Sequence, residues 1–394
     1  MSTTDQQQSY KYMVDLLRLM VTKSGSDLFI ANDFPPSMKI DGKLQQIANQ
    51  RLSGQYTKAF AYSLMTEKQI REFEDTKECN FAINPDGIGR FRVNVYYQQE
   101  HVSMVCRTIP AKIPTVEEMG LPAILKDIVM EKRGLLLMVG ATSSGKSTSM
   151  AAMLNHRNQT ANDHIVTIED PVEFIHPNIN CLVSHREIGR DTQSWAAALK
   201  NTLRQAPDVI YIGEVRDRET MEYAIAFAET GHLCMATLHA NNANQAIDRV
   251  VNFFPEEKRS QLLMDMSLNL KAVLSQRLIR KSDGRGRVAA VEILLNTATV
   301  ADQIFKGDVG SIKETMAKSN EVGMRTFDQA LFELAESGHI TRDEALRNAD
   351  SVNDLRVKFR LEAKDAGTAD KFAGAADLSL DQDVTRKLGL NKKF

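Results

Sequence analysis

Residues 134–155 read GLLLMVGATSSGKSTSMAAMLN, and this stretch decides the fold. LLLMV at 135–139 is an unbroken apolar run of strand length, as expected for a strand buried on both faces. Gly140–Ser147 then fits the pattern GxxxxGK[ST], and STSMAAMLN carries on from it as a helix. Strand, loop and helix in that order are the setting in which a chain cradles phosphate. Glycine is needed where backbone N–H groups curl around an anion without a Cβ in the way. Gly140, Ala141, Thr142, Ser143, Ser144, Gly145, Lys146, Ser147 and Thr148 form the candidate cradle. Lys146 brings a charge to the β- and γ-phosphates, Ser147 is placed to ligate Mg²⁺, and the helix N-terminus adds its dipole. The competing reading is a glycine-bearing turn that binds nothing; motif and context together weigh against it.

Downstream the pattern alternates: helix 147–158, strand 165–168, helix 192–204, strand 209–212, helix 218–229, strand 233–237. Such alternation predicts an α/β fold with a mainly parallel sheet and helices on its faces. After about residue 244 helices predominate, with a long amphipathic helix expected over 256–280 and a strand over 288–295. A nucleoside triphosphatase also needs carboxylates at the ends of neighbouring strands, to hold Mg²⁺ and to orient or deprotonate water. VIYI at 209–212 ends in Gly213-Glu214, which puts Glu214 where a magnesium-side carboxylate belongs, with Arg216-Asp217 just beyond. IVTI at 165–168 ends in Glu169-Asp170-Pro171-Val172-Glu173, three acids that repel one another unless a cation, an arginine or water shares them. A plain turn-capping role is an equal alternative for Glu169 and Asp170. His232 and His239 flank the strand 233–238, and since a strand's ends lie far apart they need not face the same group.

Upstream, apolar positions Met13, Leu16, Leu17, Met20 and Val21 predict a helix over 9–23 that stops at Ser24-Gly25. Strand-like pieces follow at 27–31 and 37–47, the second turning at Asp41-Gly42. Thr66–Gln69 reads as a capping box opening a helix to about Lys77. Cys79–Ile83, Arg90–Gln98 and His101–Thr108 then read as strands, completing an α+β unit over 1–112. Arg90, Arg92 and Arg107 lie on its last two strands, and Arg133 enters the nucleotide strand. A cationic face of this kind can close over phosphate. Residues 109–118, with two prolines and a capping pair Thr115–Glu118, are the expected linker; a second domain runs over 113–360, and 361–394 reads as a mobile tail.

Composition sets the outer limits. A chain of 394 residues suggests two or three domains at about 150 residues each. Forty-nine Lys+Arg against 51 Asp+Glu leave a net charge of −2, which disfavours a chain that wraps nucleic acid. The four cysteines at 79, 106, 181 and 234 form no CxxC pair, so neither a paired-cysteine zinc site nor a disulfide framework is expected. The opening MSTTDQQQSYKYM has no basic leader or apolar core, and no apolar stretch approaches the roughly 20 residues needed to span a bilayer. A cytoplasmic, multidomain chain is the expectation.

Taken in order, SDLF…PPSMKIDGK, GRFRVN, CRTIPAKIPT, GATSSGKST, TIEDPVEF, HREIGRDT, APDVIYIGEVRD, ETGHLCMATLHANN and DRVVNFFP resemble the secretion-superfamily ATPases, specifically the type IV pilus retraction ATPases of the PilT/PilU family. The resemblance covers about residues 9–350. It implies a PAS-like N-terminal domain joined to a RecA-like P-loop ATPase domain, assembled as a homohexamer, with ATP and Mg²⁺ between the domains and rotation of one against the other doing the work. It also implies that Glu173 is the catalytic glutamate, that Glu214 closes the Walker B strand, and that His232, His239, Arg90, Arg92 and Arg107 serve the site. Where the PilT branch carries a helix close to AIRNLIRE, this chain reads ATVADQIFKG at 298–307, which resembles the accessory PilU branch. Ala141 and Ser144 stand where the PilT branch tends to have Pro and Gly. Pilus assembly and type II secretion ATPases, which typically carry a tetracysteine module, fit less well. The implied partners are a PilT-like retraction ATPase and an inner-membrane platform protein at the pilus base, with no nucleic acid and no membrane insertion. Two alternatives stay open: a nucleic-acid-stimulated ATPase on a similar core, and a ring adaptor whose own hydrolysis is dispensable.

Overall fold

The computed structural model describes residues 3–40, 42–109 and 112–365. The first part comprises α1 (Thr3–Thr22), β1 (Asp27–Ile30), β2 (Ser37–Ile40), β3 (Lys43–Gln46), α2 (Gly54–Leu64), α3 (Glu67–Thr76), β4 (Glu78–Ile83), β5 (Arg90–Gln98) and β6 (His101–Ile109). Its strands form an antiparallel sheet in the order β3-β2-β1-β6-β5-β4. The expected hairpin pairs Ile40 with Lys43; Gly42 takes a φ of 78°, while Asp41 lies outside the described residues. The Thr66–Gln69 capping box forms in both directions at the start of α3. Met13, Leu17 and Met20 of α1 and Phe73 of α3 bury against Phe91, Val93 and Val95 of β5, giving this sheet a core of its own.

The second part comprises α4 (Ile124–Val129), β7 (Gly134–Val139), α5 (Lys146–Thr160), β8 (His164–Glu169), β9 (Leu182–Glu187), α6 (Trp195–Thr202), β10 (Val209–Ile212), α7 (Arg218–Glu229), β11 (Leu233–Leu238), α8 (Ala243–Asn252), α9 (Glu256–Asn269), β12 (Leu270–Arg280) and β13 (Arg287–Leu295). The strand order is β13-β12-β7-β11-β10-β8-β9, parallel throughout except for the β12–β13 pair. The fold is α/β, as expected. All six residues of β7 are buried, and alternation decides which layer each serves. Leu135, Leu137 and Val139 pack with α7, α8 and α9, while Leu136 and Met138 pack with α4 and α5. Five further helices follow: α10 (Ala298–Phe305), α11 (Ile312–Lys318), α12 (Phe327–Glu336), α13 (Arg342–Asn348) and α14 (Val352–Asp365).

Four expectations need correction. The helix expected over 256–280 stops at Asn269, and 270–280 is strand β12, paired in parallel with β7 and antiparallel with β13. Its apolar residues satisfy a helical spacing and a two-residue alternation equally well, so pairing with two neighbours decides the outcome. The edge strand β9 went unanticipated because LVSHRE carries only two apolar residues. The helix expected over 192–204 begins only at Trp195, capped by Ser194, and ends in a 3₁₀ turn at Leu203–Gln205. Residues 361–365, assigned to a tail, continue α14; 366–394 lie outside the described residues. Of the expected linker, Pro110 and Ala111 also lie outside them, and the Thr115–Glu118 pair forms, each residue's N–H donating to the other's side chain.

Candidate functional site

Parallel strands deliver their C-terminal ends to one edge of the sheet, and the chemistry-bearing residues gather there. Val139 is level with Leu238 and Ile212 with Ile168, so the phosphate loop, His239, Gly213-Glu214 and the acids after β8 emerge side by side. Two glycines of the loop are required by close approach. A Cβ on Gly140 would sit 2.5 Å from Ser144 Oγ and 2.6 Å from the Gln276 carbonyl oxygen. One on Gly145, whose φ is 86°, would sit 2.7 Å from Gln276 Nε2. Lys146 Nζ donates to the carbonyls of Gly140 at 2.8 Å and Ala141 at 2.9 Å. Burial draws its pKa below the ordinary lysine value, while Glu214 and Glu173 pull it back up.

The acids occupy different environments. Glu169 is buried, which pushes its carboxyl up to about 8. Its Oε2 accepts the Glu173 N–H at 3.4 Å. Gly213 lets β10 pass close by, since a Cβ there would meet Glu169 Cα and Cγ at 3.2 Å. Glu214 is gripped from both sides: Oε2 accepts from Arg216 Nε at 2.9 Å, and Oε1 lies 3.1 Å from His239 Nε2. The Glu173 side chain is exposed and accepts no hydrogen bond among the described residues. These groups line one cleft of about 530 Å³ with Thr142–Thr148 of the loop, and Arg92 and Arg107 of the first sheet close its far side. Gly140 and Ala141 face a neighbouring hollow of about 470 Å³, shared with His239, Asp248 and Arg249.

Three expected residues fall elsewhere. His232 sits at the opposite end of β11 from His239, where its Nδ1 lies 3.1 Å from Thr230 Oγ1 and 3.2 Å from the Phe227 carbonyl. Arg90 is not among the residues that line the cleft and pairs with buried Glu187 at 2.6 Å. Arg133 precedes β7 at the end remote from the loop. Sequence reasoning also passed over Trp195, Tyr211 and Leu278, which line the cleft, and Gln276, which touches the loop from β12. The last was hidden by the helical reading of 256–280; a two-residue alternation through LKAVLSQRL at 270–278 would have exposed it.

The family model described as "Type II/IV secretion system protein" matches residues 4–324. The chain belongs to this family. Among curated members, it is 56% identical over 346 residues to the type IV pilus ATPase PilU of Pseudomonas aeruginosa, covering 88% of this chain and 91% of that one. It is 40% identical over 337 residues to the type IV pilus retraction ATPase PilT of the same organism, covering 86% and 98%. Among solved members of the fold, the pilus retraction motor PilT with bound ADP superposes with a TM-score of 0.81 at 36% identity, covering 87% of this chain and 98% of that one. The Legionella pneumophila ATPase DotB gives 0.75 at 27% identity, covering 85% and 94%. No described helix is long and apolar enough to cross a membrane.

Proposed function

We propose that this protein is an ATP hydrolase of the type IV pilus machine that drives or assists pilus retraction and so twitching motility, as a PilU-like accessory to a PilT-like motor. The observation that carries the reading is the meeting of the phosphate loop, Glu173 and Glu214 in one cleft faced by two arginines of the other sheet. Similarity to PilU over most of both chains supports the branch. On this reading residues 1–112 are a PAS-like domain and 113–360 a RecA-like ATPase domain. The chain works as a homohexamer on the cytoplasmic side of the inner membrane, against a platform protein at the pilus base.

Each residue's part follows from its surroundings. The loop N–H groups and Lys146 hold the phosphates. Ser147 and Glu214 offer the hard oxygen donors that Mg²⁺ prefers, and a buried carboxyl pushed up to about 8 at Glu169 marks a place where added positive charge is welcome. The ion, when bound, neutralises charge on the transferred phosphoryl group. Glu173, exposed to the cleft and in no ion pair among the described residues, orients the attacking water and takes its proton. Glu214 is kept in place by Arg216 and His239. Arg92 and Arg107 bring positive charge from the first sheet, so hydrolysis is felt as movement of one sheet against the other.

Purified protein should hydrolyse ATP, and Lys146→Ala or Glu173→Ala should lower turnover at least about 100-fold with circular dichroism unchanged. Unchanged turnover would refute the site. Strong stimulation by DNA would point instead to a nucleic-acid motor, and full rescue of retraction in a deletion strain by Lys146→Ala would point to an adaptor.

A further inference from the structure

We infer that Gln276 is a positioning residue of the nucleotide site, its side-chain amide fixing the curvature of the phosphate loop from the neighbouring strand. The inference rests on the nucleotide-binding reading of that loop and adds a residue to which no role has yet been given. Ser275 pairs with Val139 at the end of β7, so Gln276 stands one step further on, level with the start of the loop. It is wholly buried. Its Nε2 donates to the Ser144 carbonyl at 2.8 Å, and its Oε1 accepts from Ser149 Oγ at 2.7 Å. The two contacts lie on either side of Gly145-Lys146, so one amide spans the turn from loop to helix.

Both invariant glycines of the motif pattern make room for this residue. A Cβ on Gly140 would strike its carbonyl oxygen and one on Gly145 its side-chain nitrogen. A glutamine amide satisfies both partners at once, donating to the carbonyl through Nε2 and accepting from the hydroxyl through Oε1. Ser144 Oγ, buried at the same point, finds no hydrogen-bond partner among the described residues, so it gives the loop no hold there. Lys146 does hold the loop through the Gly140 and Ala141 carbonyls, but a lysine that turns to a phosphate gives those bonds up. The Gln276 bonds need not change when that happens. They keep the loop N–H groups converged on the anion.

The test is a set of variants, Gln276→Met, Gln276→Glu and Ser149→Ala. Each is assayed for binding of a fluorescent ADP analogue, for KM and kcat with ATP, and for thermal melting. Loss of both bonds in Gln276→Met should weaken nucleotide binding and raise KM by about tenfold, leaving kcat at saturating ATP within about threefold. Gln276→Glu keeps the acceptor for Ser149 but can donate to Ser144 only while its buried carboxyl is protonated, so its KM should rise as the pH is raised. Ser149→Ala should give a smaller rise, and adding Gln276→Met to it should cost less than in the wild type, because the two share a bond. If Gln276→Met fails to fold, Ser149→Ala and Gln276→Glu carry the same comparison. Lowered melting with KM and nucleotide affinity unchanged would make Gln276 a packing residue and overturn the inference. A wild-type chain that binds no nucleotide would instead overturn the functional reading beneath it.

Discussion

Replacing Arg90 by alanine should loosen the junction between the two sheets without touching the chemistry. Its guanidinium meets Glu187 at 2.6 Å, and the side chains are only 12% and 6% exposed, so solvent screens little of the pair. The same Glu187 oxygen also accepts the Val172 N–H at 3.1 Å. Removing one partner of a buried pair strands the other charge, a loss of about 3–5 kcal/mol. At roughly 2–4 °C per kcal/mol for domains of 150–250 residues, that lowers the melting temperature by about 6–20 °C. The chain's single tryptophan, Trp195, lies in the cleft and reports melting by its fluorescence. Adding Glu187→Gln removes the stranded charge and should recover part of the loss. Below the melting range, Arg90→Ala should hydrolyse ATP within about threefold of wild type, since structural deletions away from reacting groups leave transition-state contacts intact. Normal melting with abolished hydrolysis would refute the reasoning and return Arg90 to the catalytic machinery.

Arg92 and Arg107 should separate in the opposite sense. The Arg107 guanidinium already serves buried Asp27 at 2.8 Å, whereas that of Arg92 has no ion pair among the described residues. Arg92→Ala should therefore cut ATP turnover with little change in melting, and Arg107→Ala should lower melting as well; the reverse order would count against this division. A pH dependence follows from Glu292, where burial pushes the carboxyl up from 4.5 to about 6 against the pull of the Ala243 N–H it accepts at 2.7 Å. The unfolded chain then releases that proton first, so the stabilisation is complete below about pH 4.5 and fades as pH rises through about 6, by about 2 kcal/mol. Melting curves from pH 4.5 to 7.5 should show a flatter slope for Glu292→Gln, and identical slopes would refute it.

What the sequence disclosed was local. The 134–155 stretch needs no distant partner to be read, because strand, loop and helix are contiguous and each has its own pattern. The acids after β8 and β10 were legible for a related reason, since parallel strands must end on the same edge. The arginines were not. Alternation puts Arg90 and Arg92 on the same face of β5, yet a glutamate 97 positions away captures one and leaves the other to the cleft. Such a pairing has no trace in the spacing. Strand β12 was lost because its apolar residues obey two periods at once, and Gln276 was lost with it.

The environment also sorts glutamates that the sequence could only place together. A triphosphate carries negative charge into a cleft that already holds Glu169, Asp170, Glu173 and Glu214, and four equivalent carboxylates would repel it. They are not equivalent. Burial keeps Glu169 protonated up to about pH 8, so near neutrality it adds little charge. Glu214 shares its charge with Arg216 and sits against His239, which fixes its orientation. Asp170 is exposed beside Pro171, with Arg216 attracted to it. Glu173 is exposed to the cleft beside Lys146, and among the described residues its carboxylate accepts no hydrogen bond and joins no ion pair. Acid and base roles in such sites follow from surroundings that push like groups apart, and that criterion supports the proposal of Glu173 as the base.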